Sequence, residues 1–449
     1  MEKKVALSIA GSDSSGGAGI QADLKSFSYL GVHGTTVITC VTSQNTRQVN
    51  SIYKVPVDVL QSQLESVLQD FPIAAVKTGM LYDDETIQQV AKTLVKHHLK
   101  PVVDPVMVAT SGDSLADGSF VSSLKHHLLP NTLMVTANVP EASAIAGIPI
   151  ETQQDVKDAC KKIYSLNPEY VLLKGGHLKG EEAIDVLYDG KRYHTFSLPK
   201  IPNKKAHGSG CTLSALITGL LALGEPPVEA VRKAKYIVWG MIQEGYSPGK
   251  GSDVLDHSSR VMVPPFASDE THVQVWLELR NAVEQLISML PVSFIPEVGL
   301  NFVYACQNAT SRSDVCGING RIVKYHGIPH LCGSLDFGAS KHVASIALAA
   351  LSLDTSVRSA MNIRYSKESV NLCKKIGFSV GTFERKDEPA TAPSTMEWGT
   401  HHAIATLGCV PDIIYDTGAV GKEPMIRILG KNPADVLVKL KKLVASSEP

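Results

Sequence analysis

No Cys-x-x-Cys pair occurs anywhere in this chain of 449 residues. The eight cysteines (Cys40, Cys160, Cys211, Cys306, Cys316, Cys332, Cys373 and Cys409) are scattered. That spacing supports neither a zinc site nor a disulfide framework and suits a reducing cytosol. An excess of one charge is also lacking: 43 Lys and Arg stand against 44 Asp and Glu, for a formal net charge of −1. No broad field for nucleic acid or acidic lipid follows from such a balance. No uncharged apolar stretch is long enough to span a bilayer. The short apolar run at 5–10, after Lys3 and Lys4, is cut off by Gly11-Ser12-Asp13 too early for a signal peptide. Neither the GxGxxG nor the P-loop spacing is present, which removes the commonest nucleotide fingerprints. No internal repeat or low-complexity tract stands out. These absences leave a soluble intracellular protein, expected in the cytoplasm, with no nucleic acid and no membrane among its partners. At this length two or three domains are expected.

What is present centres on Ala206-His207-Gly208-Ser209-Gly210-Cys211-Thr212. Two glycines flank one small residue, and an uncharged apolar run at 213–223 follows. This pattern predicts a tight loop feeding a buried helix. The first turn of a helix leaves amide N–H groups unpaired and partly positive, and glycine lets that backbone approach an anion. The loop could therefore hold phosphate oxygens at Gly208, Ser209 and Gly210. Cys211 would sit beside them, biased toward thiolate by the helix terminus. Alone, a Gly-x-Gly is more often only a turn, and a lone cysteine more often a small core residue. The rest of the first half changes that weighting.

Compact apolar runs at 5–10 and 37–41, a strand plus loop at 74–81, and strands at 101–107, 133–136 and 170–177 alternate with helical patterns. The alternation predicts an α/β fold with a largely parallel sheet and helices on both faces. Each run ends in polar residues, where such a sheet binds ligands. Gln44 lies in a cluster of amides and hydroxyls able to recognise the edge of a heterocycle, and Met80 can lie on a flat ring. Asp104, Asn138, Glu141 and Lys174 follow strand ends. Together they offer oxygen ligands for Mg²⁺ and a cation for phosphate. Each is individually more often a plain loop residue; as a set with the glycine loop they describe phosphoryl transfer.

The motifs Ala10-Gly11-Ser12-Asp13-Ser14-Ser15-Gly16-Gly17-Ala18-Gly19, Gln44-Asn45-Thr46, Lys77-Thr78-Gly79-Met80-Leu81, Asp104-Pro105-Val106-Met107, Lys174-Gly175-Gly176-His177 and His207 to Thr212 occur in order. With them, residues 1–257 resemble the hydroxymethylpyrimidine/phosphomethylpyrimidine kinases of thiamine biosynthesis, which have a ribokinase-like fold. The resemblance implies ATP as substrate, with Mg²⁺. It implies pyrimidine contacts from Gly11, Asp23, Gln44, Met80, and Val106 or Met107. Lys174 and Asn138, with the Gly208–Gly210 amides, would serve the ATP phosphates, Asp104 and Glu141 the metal. Cys211 would be the catalytic base. Two positions depart from the family pattern: Ala137, where proline is common, and Lys205, where a neutral residue is expected. Pyridoxal kinase activity is the rival reading for this half, because fold and ATP apparatus are shared.

A proline-rich stretch makes 258–271 a linker, and 272–449 a second, smaller α/β domain. A helix with one apolar face opens it, carrying Trp276, Leu279, Val283 and Leu286, and Pro291 ends it. Strands are expected at 301–305, 320–325 and 412–416, and helices at 343–353, 368–376 and 433–444. The loop Asp336 to His342 precedes a buried helix and offers a second anion site; Arg364 and the run 421–427 add positive charge. By base rate His342 at a helix start is more often structural. This half resembles the thiamine-phosphate synthase domain of the archaeal type, on Asn308-Ala309, Gly320-Arg321-Ile322-Val323, Asp336 to His342, Met361 to Ser366 and Gly421 to Arg427. The resemblance implies joining of hydroxymethylpyrimidine diphosphate to hydroxyethylthiazole phosphate with release of pyrophosphate. Arg321 and His342 would be catalytic, and Ser340, Lys341, Arg364 and Lys422 would bind phosphate. A non-catalytic module that binds thiamine phosphate is the alternative. A homo-oligomer is the expected assembly.

Overall fold

The computed structural model describes residues 3–107, 119–176, 180–202, 206–258, 270–389 and 394–447. Most of the expected linker, Lys205 and His177 lie outside the described residues. The chain divides into two compact units, Met1–Val263 and Pro264–Pro449.

The first unit holds a nine-stranded sheet. Its strands in chain order are β1 (Val5–Asp13), β2 (His33–Gln44), β3 (Val49–Lys54), β4 (Ile73–Thr78), β5 (Val102–Val103), β6 (Met134–Asn138), β7 (Tyr170–Lys174), β8 (Glu182–Tyr188) and β9 (Tyr193–Pro199). Their spatial order is β3-β2-β1-β4-β5-β6-β7-β8-β9. From β2 to β7 every neighbour is parallel, and these are the six strand segments read from the sequence. The two edges are antiparallel hairpins, β2–β3 and β7–β8–β9, which were not expected. Their strands are mostly half-buried or exposed, and the apolar signal that marks a doubly covered strand fades there.

Successive residues of the central strands enter opposite layers, as the strand period of two requires. Val103, Val135 and Leu173 pack with Leu64, Ile87 and Val90 on one face. Val102, Met134 and Leu172 pack with Leu216, Ile217 and Met241 on the other. Helices therefore cover both faces of the sheet. Ala137 is fully buried in the first of these layers. A small ribbon joins β10 (Ala206–His207) to β11 (Asp253–Val254) beside the glycine loop.

The second unit has a seven-stranded sheet built from β12 (Phe302–Ala305), β13 (Val315–Tyr325), β14 (Ile328–Phe337), β15 (Ser359–Arg364), β16 (Val380–Thr382), β17 (Ile413–Asp416) and β18 (Met425–Gly430). Their spatial order is β14-β13-β12-β15-β18-β17-β16. All pairs are antiparallel except β16–β17. The sheet thus mixes directions within the expected second, smaller α/β domain. The helix Lys341–Leu353 packs Val343, Ala347 and Ala350 with Val303, Ala360 and Ile414. The helix Glu270–Met289 buries Trp276, whose indole N–H donates to the Leu335 carbonyl at 3.2 Å. The helix Thr395–Leu407 and strands β14, β16 and β18 were not foreseen.

Leu64 is fully enclosed in the first core. Leu64→Ala should destabilise the protein by about 2–5 kcal/mol, measured by chemical denaturation.

Candidate active sites

The carboxyl ends of the parallel strands of the first unit open into a cavity of about 920 Å³, a size that suits a small-molecule site. Gly11, Gln44, Met80, Val106 and Met107 line one part. Met80 packs its sulfur 3.7 Å from the Cys40 sulfur, which fixes a flat apolar wall. Asp104, Asn138, Glu141, Lys174 and the loop Gly208 to Cys211 line the rest.

The loop between β1 and the helix Gly19–Tyr29 is held by Asp13. Its carboxylate accepts hydrogen bonds from the Ser15 amide and hydroxyl and from the amides of Gly17 and Ala18. His207 Nε2 lies 3.2 Å from the same carboxylate and 3.1 Å from the Gln44 side-chain amide. Burial alone would raise the Asp13 pKa, but the hydrogen bonds from His207, Ser15 and Ala18 outweigh it and hold it at about 2. Neither Asp13 nor His207 was singled out from sequence, although both sit inside the motifs quoted above.

Gly208 caps the helix Ser209–Ala222 with φ of 83°. A Cβ there would lie 1.8 Å from the Gly17 carbonyl oxygen. Only glycine permits both the left-handed turn and this approach. The first amides of the buried helix therefore face the cavity.

The phosphate end is built on strand ends. Asn138 and Lys174 are register partners on β6 and β7. Asn138 caps the helix Val139–Ala146 and forms a capping box with Glu141, at 2.9 Å and 2.8 Å. Lys174 Nζ donates to Asp104 at 2.9 Å and lies 3.9 Å from Glu141. Asp104 also accepts from Thr136 and Ser214. Burial opposes the Lys174 charge, but Asp104 and Glu141 outweigh it and raise its pKa. Glu141 is pushed up to about 7, mainly by burial and further by Asp104, against the pull of Lys174. This carboxylate lacks its full complement of positive charge. Such a pair suits Mg²⁺, which takes one or two carboxylates and completes its shell with water and substrate phosphates.

Two expectations require correction. Asp23 does not line the cavity. It is fully buried beneath Lys77, which donates to both of its oxygens at 2.8 and 2.9 Å, while the Ser8 hydroxyl donates at 2.5 Å. Lys77, a lone cation in an apolar strand, reaches the cavity wall instead. Burial disfavours its charge, and Asp23 outweighs that to raise its pKa. Cys211 is half-buried, but it is not a resting thiolate. Loss of hydration pushes its thiol up to about 11 despite Lys77 and a hydrogen bond from the Gly19 backbone.

In the second unit, Arg321 on β13, and Lys341 and His342 at the start of the helix Lys341–Leu353, are exposed. The His342 pKa is lowered by partial burial and by the charges of Lys341, Arg321, Arg385 and Arg427. Ser340 caps that helix in the left-handed region, with φ of 57°. Arg364 ends β15 opposite Met425, the first residue of β18. Lys422 lies in the preceding turn, where its amide donates to the Ala419 carbonyl at 2.9 Å. Lys341 and His342 are chain neighbours, and the charge of Arg321 acts on His342; among the described residues no hydrogen bond or ion pair joins Arg364 or Lys422 to them. Unforeseen from sequence is the enclosed trio of Asp416, Arg385 and Arg427. Its local signals were the end of the expected strand 412–416 near Asp416 and the place of Arg427 in the basic run 421–427.

A family model described as phosphomethylpyrimidine kinase matches residues 13–256, and one described as thiamine-phosphate synthase ThiN matches 278–442. The bifunctional thiamine biosynthesis protein ThiDN of Methanocaldococcus jannaschii is 32% identical over 440 residues, covering 97% of each chain. The bifunctional protein ThiED of Geobacter sulfurreducens is 43% identical over 252 residues, 56% of this chain and 51% of that relative, so the chain spans about half of its length. Pyridoxal kinase of Bacillus subtilis, solved with ADP, superposes with a TM-score of 0.54 at 36% identity over 57% of this chain and 98% of its own. The first unit is a ribokinase-like kinase by fold. The whole chain belongs to the family of bifunctional thiamine-biosynthesis proteins that join a phosphomethylpyrimidine kinase to a ThiN-type synthase. Among the described residues no helix is long and apolar enough to cross a membrane.

Gly208→Ala should abolish most kinase turnover, because the added Cβ displaces the loop from Gly17; steady-state kinetics will measure it. Asp13 has its pKa depressed below the ordinary 3.8, so its charged form contributes stability above that pH and loses it as pH falls toward 2. Asp13→Asn should therefore cost about 2 kcal/mol at neutral pH. The difference from wild type, read from denaturation midpoints, should shrink as pH is lowered from about 4.

Proposed function

We propose that the first unit phosphorylates hydroxymethylpyrimidine and then its monophosphate with ATP. The second unit then couples the diphosphate to hydroxyethylthiazole phosphate. One observation carries the kinase reading. The helix-terminal amides at Gly208 to Cys211 open into the same cavity as Gln44 and Met80, with Lys174 beside them.

The ring of the pyrimidine stacks on Met80, and Gln44 and the backbone at Gly11 meet its polar edge. Gly208, Ser209 and Gly210 receive the terminal phosphoryl oxygens, and Lys174 and Asn138 hold the polyphosphate. Asp104 and Glu141 would hold Mg²⁺, which would neutralise phosphate charge. The substrate alcohol oxygen forms a bond to the γ-phosphorus as the bridging P–O bond breaks. The electron pair of that bond leaves on ADP, and the alcohol proton passes to the Cys211 thiolate. Lys77 favours that thiolate against burial. Asp23 acts through Lys77.

In the second unit Arg321 and His342 flank the reacting diphosphate, with Ser340 and Lys341 at the helix start and Arg364 and Lys422 at the adjoining ends of β15 and β18. A cationic surrounding of this kind favours departure of pyrophosphate. All eight cysteines are unpaired, which supports a reducing cytoplasmic setting. The proposed assembly is a homo-oligomer.

Cys211→Ala should lower kinase turnover by about 10²–10⁴-fold while pyrimidine binding changes little. Because the resting thiol titrates near 11, wild-type turnover should climb as pH is raised from neutrality, and the Cys211→Ala profile should be flat. A flat wild-type profile refutes the base assignment. Since the superposed structure is a pyridoxal kinase, the assay should compare pyridoxal with hydroxymethylpyrimidine. The pyrimidine is expected to have the higher kcat/KM, and the reverse order overturns the substrate assignment.

A further inference from the structure

The cation cluster of the second unit contains a built element that the residues so far assigned do not use. Asp416, at the end of β17, is fully buried. Arg385 donates to it from Nε at 2.7 Å and from Nη2 at 3.3 Å, and Arg427 Nη1 donates at 2.5 Å. The Gly418 amide adds a fourth bond at 2.8 Å.

The two arginines are not equivalent. Arg427 is 3% exposed, lies over the Phe383 ring at 5.5 Å, and donates to the Met425 carbonyl and toward the Met396 sulfur. It is locked in place. The Arg385 side chain is 12% exposed, and its bidentate grip on Asp416 leaves Nη1 outside the pairing.

Two guanidinium groups around one carboxylate leave one positive charge uncompensated. Enclosing such a trio is costly, and apolar residues would serve a merely structural need as well. The charges of both arginines reach His342, as do those of Arg321 and Lys341. Phe383, beneath Arg427, shares one buried core cluster with Val343, the residue after His342, so the trio borders the same place as the synthase residues. A guanidinium fork fixed by a carboxylate suits a phosphate oxygen pair better than a mobile lysine does.

We propose that Arg385 contacts the diphosphate leaving group of the pyrimidine substrate, and that Asp416 with Arg427 is the positioning device that aims it. This rests on the synthase reading above. In that reaction the thiazole nitrogen forms a C–N bond to the pyrimidine methylene while the C–O bond to diphosphate breaks. The electron pair departs on the diphosphate oxygen. Arg385 receives the charge that develops there; nothing is oxidised or reduced.

The test uses the full chain, purified pyrimidine diphosphate and thiazole phosphate, with inorganic pyrophosphate as product inhibitor. Arg385→Ala should weaken pyrophosphate inhibition by about tenfold or more. It should raise KM for the diphosphate and leave KM for thiazole phosphate unchanged. Arg385→Lys should recover only part of the loss. Asp416→Asn should show the same selective defect in a smaller degree, and Asp416→Glu should lessen it. Unchanged pyrophosphate inhibition in Arg385→Ala, or an equal rise in both KM values, overturns the proposal while the synthase reading stands. An unaltered Asp416→Asn overturns the positioning part. A wild-type chain that forms no thiamine phosphate overturns the synthase reading, and this proposal with it.

Discussion

The carbonyl of Gly17 and the backbone of Gly208 touch with no room for a side chain between them. Much of the first unit's site depends on that contact. It joins the loop that follows β1 to the loop that precedes the buried helix Ser209–Ala222. Asp13 reinforces the joint by capping its own loop and meeting His207 from the other. His207 in turn reaches Gln44 at the end of β2. The group proposed to recognise the ring and the loop proposed to receive a phosphate are thereby tied to one frame. Placement of this kind supplies much of the catalytic advantage in phosphoryl transfer.

Both units solve an electrostatic problem by enclosing unequal numbers of opposite charges. In the first, Asp104 and Glu141 share Lys174, and Glu141 is left with a pKa near 7. The imbalance favours a cation. In the second, Asp416 is shared by Arg385 and Arg427, and the imbalance favours an anion. Each deficit matches the ligand that the corresponding chemistry brings.

The apolar runs of the first half were legible because parallel strands covered on both faces are apolar throughout. Asn138 and Glu141 were legible as polar residues after a strand end, while the capping box they form emerged only in the fold. The edge hairpins were not, since β3 and β9 are only partly covered and carry a mixed pattern. In the second unit the segments of β12, β13 and β17 were visible, but the mostly antiparallel pairing was not, because strand direction depends on which distant segments meet. Asp23 was expected at the substrate. In the fold it is sealed beneath Lys77, a partner 54 residues away.

The sequence by itself determined the glycine turns, the helix that follows Gly208 and the polar residues at strand ends. These depend on backbone geometry and on neighbours within a few positions. Only the tertiary structure decided the charge states and partners: a neutral Cys211, a depressed Asp13 meeting His207 across 194 residues, and an Arg385 aimed by Asp416. The physical reason is that desolvation and ion pairing act through space. A residue's charge is set by what encloses it, and folding brings those groups from remote parts of the chain.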